Sequence, residues 1–160
     1  MNTRLRMITD ASVWALSSVF LLVLLATSAE AAAPLDGAAA WREECSSCHI
    51  AFPPRLLPAA SWQALLGGLD KHFGVDASTD PARGAAIGQY LAAHAGPATK
   101  SPAASPPLRI TTQGWFVHEH DELAPGVWSR PAVRSRANCS ACHAGAERGQ
   151  FDEDSVRIPK

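Results

Sequence analysis

The sequence predicts a small, mainly α fold, on three observations. Two stretches, Ser61 to Gly74 and Asp80 to Gly96, combine helix caps with apolar residues of helical period. The pentapeptide Cys-x-x-Cys-His occurs twice, as Cys45-Ser46-Ser47-Cys48-His49 and Cys139-Ser140-Ala141-Cys142-His143, and suits a helical turn, on which positions i, i+3 and i+4 share a face. A strand–helix–strand pattern is lacking.

The two pentapeptides use all four cysteines of the 160-residue chain. Cys-x-x-Cys-His is the signature of c-type haem attachment. On one helical turn the two thiols can add across the vinyl groups at one porphyrin edge, and the adjacent imidazole then points under the ring toward iron. Zinc could use pooled Cys and His at comparable spacing, and a redox disulfide could use the Cys pair, but the latter needs the strand–helix–strand context that is missing here. Two covalently attached haem c groups are therefore expected, on Cys45, Cys48 and His49 and on Cys139, Cys142 and His143.

Residues 1–31 read as a secretory signal. Arg4 and Arg6 precede an apolar run from Val13 to Ala26, and Ala29-Glu30-Ala31 is a cleavage site of A-x-A type. The run is marginal in length for a membrane span. Export to the periplasm suits the cysteine use, since c-type haems are attached outside the bacterial cytoplasm and no spare thiol is left to form a disulfide. Without its first 31 residues the chain is 129 long, with 12 Lys plus Arg and 13 Asp plus Glu, two of each having left. A net charge of −1 suggests neither nucleic acid nor an anionic membrane as partner. Large aliphatic residues are sparse for a domain of this size, so the haems must supply core.

Asp36 can cap a short helix through Trp41 into the first motif. Ile50 to Pro58 contains three prolines and reads as an extended loop that can wrap a haem edge. Ser61 caps a helix expected over Trp62 to His72, with Leu65, Leu66 and Leu69 on one face, His72 on that same face and Gly74 as its stop. Asp80 and Pro81 start a second helix to His94, with Ile87, Tyr90 and Leu91 buried. These elements make an N-terminal haem domain over residues 32–95. Residues 96–107, rich in proline, form a linker. The C-terminal haem domain, 108–160, opens with a helix expected over Trp115 to Leu123, capped by Thr111 or Thr112 and ended by Ala124-Pro125-Gly126. Phe151, Val156 and Ile158 are apolar positions in a charged tail and are expected to cover haem.

His49 and His143 supply one axial ligand each. Methionine is excluded on the opposite sides, because Met1 and Met7 both lie in the signal segment. His72, His94, His118 and His120 remain. His72 lies on an apolar face, whereas His94 sits at a helix C-terminus, where the dipole favours an imidazole without any metal. His118 and His120 point in roughly opposite directions on a helix, so at most one of them faces a haem.

The chain resembles the bacterial dihaem cytochromes c. The resemblance covers nearly all of residues 41–160 and rests on Ala51-Phe52-Pro53-Pro54, on Leu65-Leu66 through His72-Phe73-Gly74 with Asp76-Ala77-Ser78, and on Glu119-His120-Asp121-Glu122. It continues in Ala137-Asn138-Cys139 through Phe151-Asp152-Glu153 and in Ile158-Pro159. It implies a mainly α, small two-haem cytochrome c whose N-terminal half is similar to a class I cytochrome c and whose C-terminal half is irregular with short helices. It also implies His72 and His120 as second ligands, hence two histidines on each iron, and redox partners such as a membrane b-type cytochrome and a small high-spin haem protein. On a helix, His120 shares a face with Phe116 and Leu123, which favours it over His118.

The expected function is periplasmic electron transfer with low-potential haems and no small-molecule substrate. A 129-residue chain has a radius of gyration of about 14 Å, so its two porphyrins must lie close together. The competing readings are a haem enzyme such as a dihaem peroxidase and a gas-binding sensor. Both need an open or labile sixth coordination site.

Overall fold

A computed structural model describes residues 33–98 and 106–160. The expected signal segment, residues 1–31, and residues 99–105 of the expected linker lie outside the described residues. Among those described, no helix is long and apolar enough to cross a membrane. The described residues from Leu35 to Lys160 belong to one compact unit.

Helix α1, Gly37–Cys45, starts where expected: the Asp36 carboxylate accepts from the amides of Ala38 and Ala39 at 2.9 and 3.2 Å, satisfying two of the donors a helix start leaves open. It buries Ala40 and Trp41. After the first haem motif, the chain 50–58 stays non-helical except for one 3-10 turn, Pro54–Leu56. Proline explains this, since it removes donors and disfavours the helical region for the residue before it.

Helix α2 differs from the expected one. It spans Ala59–Leu66, and its start is set by the Pro58 carbonyl, which accepts from the amides of Ser61 and Trp62, rather than by a Ser61 cap. Ser61 lies inside the helix, wholly buried, with no partner for its hydroxyl. Gly67 and Gly68, whose backbone freedom makes helix continuation costly, stop α2 five residues before Lys71 ends the next turn. A single 3-10 turn, Leu69–Lys71, then delivers His72, so this histidine is placed by a turn and not by the face of a long helix.

Helix α3, Pro81–Ala93, carries the expected cap, Asp80 accepting from Ala82 and Arg83 amides, and buries Ile87 and Leu91 almost completely. It packs on both α1 and α2. At the crossing with α1, a Cβ on Gly37 would overlap the Ala86 carbonyl, so glycine permits the approach. Trp41 and Tyr90 rings lie 5.3 Å apart across this contact, and on its solvent side Arg83 joins Glu43 and Glu44 at 2.5 and 2.6 Å. Beyond α3, Gly96 runs beside the proline loop, its amide donating 2.9 Å to the Leu57 carbonyl.

The second half is built from short pieces. A 3-10 turn, Ile110–Thr112, leads into α4, Gly114–His118, whose N-cap is Gln113 with no side-chain cap bond. Thr111 and Thr112 sit in the preceding turn instead, where the Thr112 hydroxyl donates to the Arg109 carbonyl at 3.0 Å. The helix ends at His118, short of the expected Leu123. Further 3-10 turns follow at Pro125–Val127, Cys139–Ala141, Ala146–Arg148 and Glu153–Ser155. Ile110 and Phe116 enter the same apolar core as Trp41, Leu57, Trp62, Ile87 and Leu91. Pairing of strand type among the described residues is confined to three isolated bridges, Pro58–Gly96, His72–Val75 and His143–Val156. The mainly α class holds, with an irregular second half of helical turns.

Candidate haem sites

The first motif begins in the last turn of α1. Cys45 closes the helix, and Ser46 continues its bonding by donating its amide to the Arg42 carbonyl at 3.2 Å. Cys48 is exposed. The His49 Nδ1 lies 2.7 Å from the Ile50 carbonyl. A carbonyl only accepts, so Nδ1 carries the proton, and in the neutral ring Nε2 then keeps its lone pair, the tautomer a metal needs. Phe52 stacks on the ring at 4.7 Å.

His72 faces His49 with ring centroids 6.2 Å apart. It is held by the reversal that follows it. Phe73 at φ +50° and Gly74 at φ +102° turn the chain so that the Val75 amide bonds the His72 carbonyl at 3.1 Å. A non-glycine residue in the left-handed region is strained, by on the order of 1 kcal/mol, and such residues gather at functional sites. The His72 Nδ1 is buried without a partner. Burial, and after it the charges of His49 and Arg109, push the His72 imidazole below its ordinary pKa, which favours the neutral ring.

The second site has the same plan with different means. The Cys139–Ala141 turn brings the amide of His143 to the Cys139 carbonyl at 2.9 Å. The tail pins the motif from outside, the Arg157 amide donating 3.0 Å to the Cys142 carbonyl. His120 lies beyond the end of α4, its Nδ1 2.8 Å from the Phe116 carbonyl and its ring stacked on Phe116 at 4.1 Å. In the neutral ring Nδ1 is then the donor and Nε2 the atom with the free lone pair. His120 and His143 ring centroids are again 6.2 Å apart. Burial, then the His120 charge, lowers the His143 pKa, and the His143 Nδ1 is the second buried imidazole nitrogen without a partner. Burial also raises the thiols of Cys139 and Cys142 and, with Glu44 adding to it, pushes Cys45 up to about 11.

The spacing of the pairs fits haem iron. A metal–imidazole bond is about 2.0 Å and the centre of a five-membered ring lies about 1.2 Å behind its nitrogen, so two rings sharing one iron stand about 6.4 Å apart. Both pairs meet that separation. His94 bonds the Tyr90 carbonyl through Nδ1 at 2.8 Å, with its ring 4.5 Å from that of Tyr90, and His118 is 80% exposed beside Asp121. Neither of these two rings faces another histidine.

A family model for dihaem cytochrome c matches residues 41–151. The chain belongs to the dihaem cytochrome c family. Its solved relatives include a dihaem cytochrome c from Shewanella baltica, 43% identical, with a TM-score of 0.68 over 78% of this chain and 95% of that one. Two structures of the dihaem cytochrome from Rhodobacter sphaeroides are 47% and 44% identical, with TM-scores of 0.61 and 0.64, each over 71% of this chain and 96% or 95% of theirs. No curated protein matches the chain. As a dihaem cytochrome, the protein carries two covalent haem c groups, on Cys45 with Cys48 and on Cys139 with Cys142.

Three neighbours of the imidazoles had no local signal in the sequence. Trp128, from a stretch without periodicity, lies 5.7 Å from His120. Arg109 sits 4.0 Å above the Phe73 ring. Arg55 sits 5.7 Å above the Phe151 ring and donates to the Gly149 carbonyl at 2.6 Å. The last contact spans 94 residues of chain, which no window of sequence covers.

Proposed function

We propose that the protein is an exported electron carrier whose haems each take two histidines, His49 with His72 and His120 with His143. The observation that carries the proposal is the pair of imidazole separations, both 6.2 Å, with a carbonyl-anchored Nδ1 in each pair. Haem iron supplies reversible one-electron exchange when bound. The chain's residues hold the rings by thioethers, present an imidazole from each side and, by filling the sixth site, leave no position for a substrate. Phe52, Phe73, Phe116 and Phe151 lie against the four imidazoles. Two imidazoles without a thioether keep both potentials below those of His/Met cytochromes.

Export to the periplasm is supported by Arg4, Arg6, the Val13–Ala26 run and the Ala29-Glu30-Ala31 site. Resemblance to the family supports redox proteins as partners, a membrane b-type cytochrome and a small high-spin haem protein among them. Carbon monoxide tests the reading against a haem enzyme or a gas sensor: the spectrum of the reduced holoprotein stays unchanged on adding the gas. A shift in either haem overturns it.

A further inference from the structure

Each site is flanked by an arginine drawn from the other half of the chain. Arg109, which follows the proline-rich stretch, stacks at 4.0 Å on Phe73, whose ring is 4.8 Å from His72. Arg55, from the loop after the first motif, stacks at 5.7 Å on Phe151, whose ring is 5.3 Å from His143. We propose that the two halves exchange these charges to tune potential: Arg109 raises the potential of the haem on Cys45 and Cys48, and Arg55 raises that of the haem on Cys139 and Cys142. The inference rests on the electron-carrier reading and goes beyond it, naming positioning residues that act on each iron through the field.

The sign follows from charge. The ferric centre carries one positive charge more than the ferrous, so a nearby guanidinium disfavours it and raises the potential. Steps of 4.0 and 4.8 Å, with half of 6.2 Å, bound the distance from Arg109 to the midpoint of the first imidazole pair at about 12 Å; the same steps for Arg55 bound it at about 14 Å. At an effective dielectric of about 20, a unit charge at such distances changes an equilibrium constant by about tenfold. Both arginines are exposed, and screening lowers this to about two- to tenfold. Arg136, stacked at 5.1 Å on Trp128 beside His120, gives the second site a guanidinium from its own half and serves as an internal comparison.

The test is a redox titration of the holoprotein with variants Arg109→Gln, Arg55→Gln and Arg55→Met, followed by nuclear magnetic resonance signals of the ligand histidines assigned to each haem. Arg109→Gln is expected to shift only the first haem toward ferric, and the Arg55 variants only the second, by two- to tenfold in the ferric/ferrous equilibrium, where tenfold is 59 mV. Arg136→Gln shifts the second haem as well. Arg109→Lys and Arg55→Lys keep the charge and so keep most of the potential, and all variants stay low-spin. For the Arg109 and Arg55 variants, a shift in the same-half haem, equal shifts in both, no shift, or Lys behaving as Gln overturns the inference. An Arg55 position that tolerates neither Gln nor Met also overturns it for the second haem, since the residue is then structural. High-spin iron in the unsubstituted protein defeats the electron-carrier reading itself and is seen before any variant is made.

Discussion

Replacing His120 by Ala removes three things at once: the imidazole facing His143, the stacking on Phe116 at 4.1 Å and the 2.8 Å bond from Nδ1 to the Phe116 carbonyl. An aromatic pair is worth about 0.5–1.5 kcal/mol beyond burial, and a net hydrogen bond about 0.5–1.5 kcal/mol. The fold therefore loses on the order of 1–3 kcal/mol before any iron bond is counted. Spectroscopically, one haem of the two is opened. Ferric electron paramagnetic resonance should show half of the iron turning high-spin, and the reduced protein should bind one carbon monoxide per chain, while the first haem keeps its spectrum. His118→Ala is the matched control, two residues away in sequence but 80% exposed, with only Asp121 at 3.7 Å beside it. It should leave both haems low-spin and thermal unfolding of the holoprotein within experimental error, because an exposed ion pair contributes next to nothing. If His118→Ala opens a haem and His120→Ala does not, the pairing is wrong.

Three further outcomes are expected. His94→Ala should leave the visible spectra of both haems unchanged, since its ring is engaged with Tyr90; a new high-spin band would contradict the ligand set. Trp62→Phe removes a buried bond from the indole Nε1 to the Pro54 carbonyl at 2.7 Å and should cost about 1–3 kcal/mol in denaturant unfolding of the holoprotein, with the spectra intact. Gly96→Ala should cost about 1–3 kcal/mol, because its Cβ would overlap the Arg55 carbonyl, and Gly74→Ala a similar amount by backbone strain at φ +102° alone; Gly114→Ala, with open space at that position, should be neutral or stabilising, and a loss there as large as at Gly96 would remove the steric account.

Local chemistry is what the sequence determined by itself. Two Cys-x-x-Cys-His motifs state the cofactor and its attachment, because thioether and ligand chemistry need those residue types at that spacing. The starts at Asp36 and Asp80 were legible because a cap is an interaction over two or three residues, and the Ile87–Leu91 stripe because burial follows helical period. Where reading and structure parted, a neighbour of equal local strength won. Ser61 looks like a cap, yet the Pro58 carbonyl starts α2 three residues earlier, and Gly67-Gly68 ends it before the apolar pattern does. The expected helix over Trp115 to Leu123 likewise contracts to five residues, and the route past His118 is then a series of turns that periodicity does not describe. Only the tertiary structure decided which imidazoles stand 6.2 Å apart. It alone brought Arg55 to Gly149 and Arg109 to Phe73. Such contacts join residues that are independent along the chain, and their geometry is set by the packing of all the elements between them, so no local pattern of residue types encodes it.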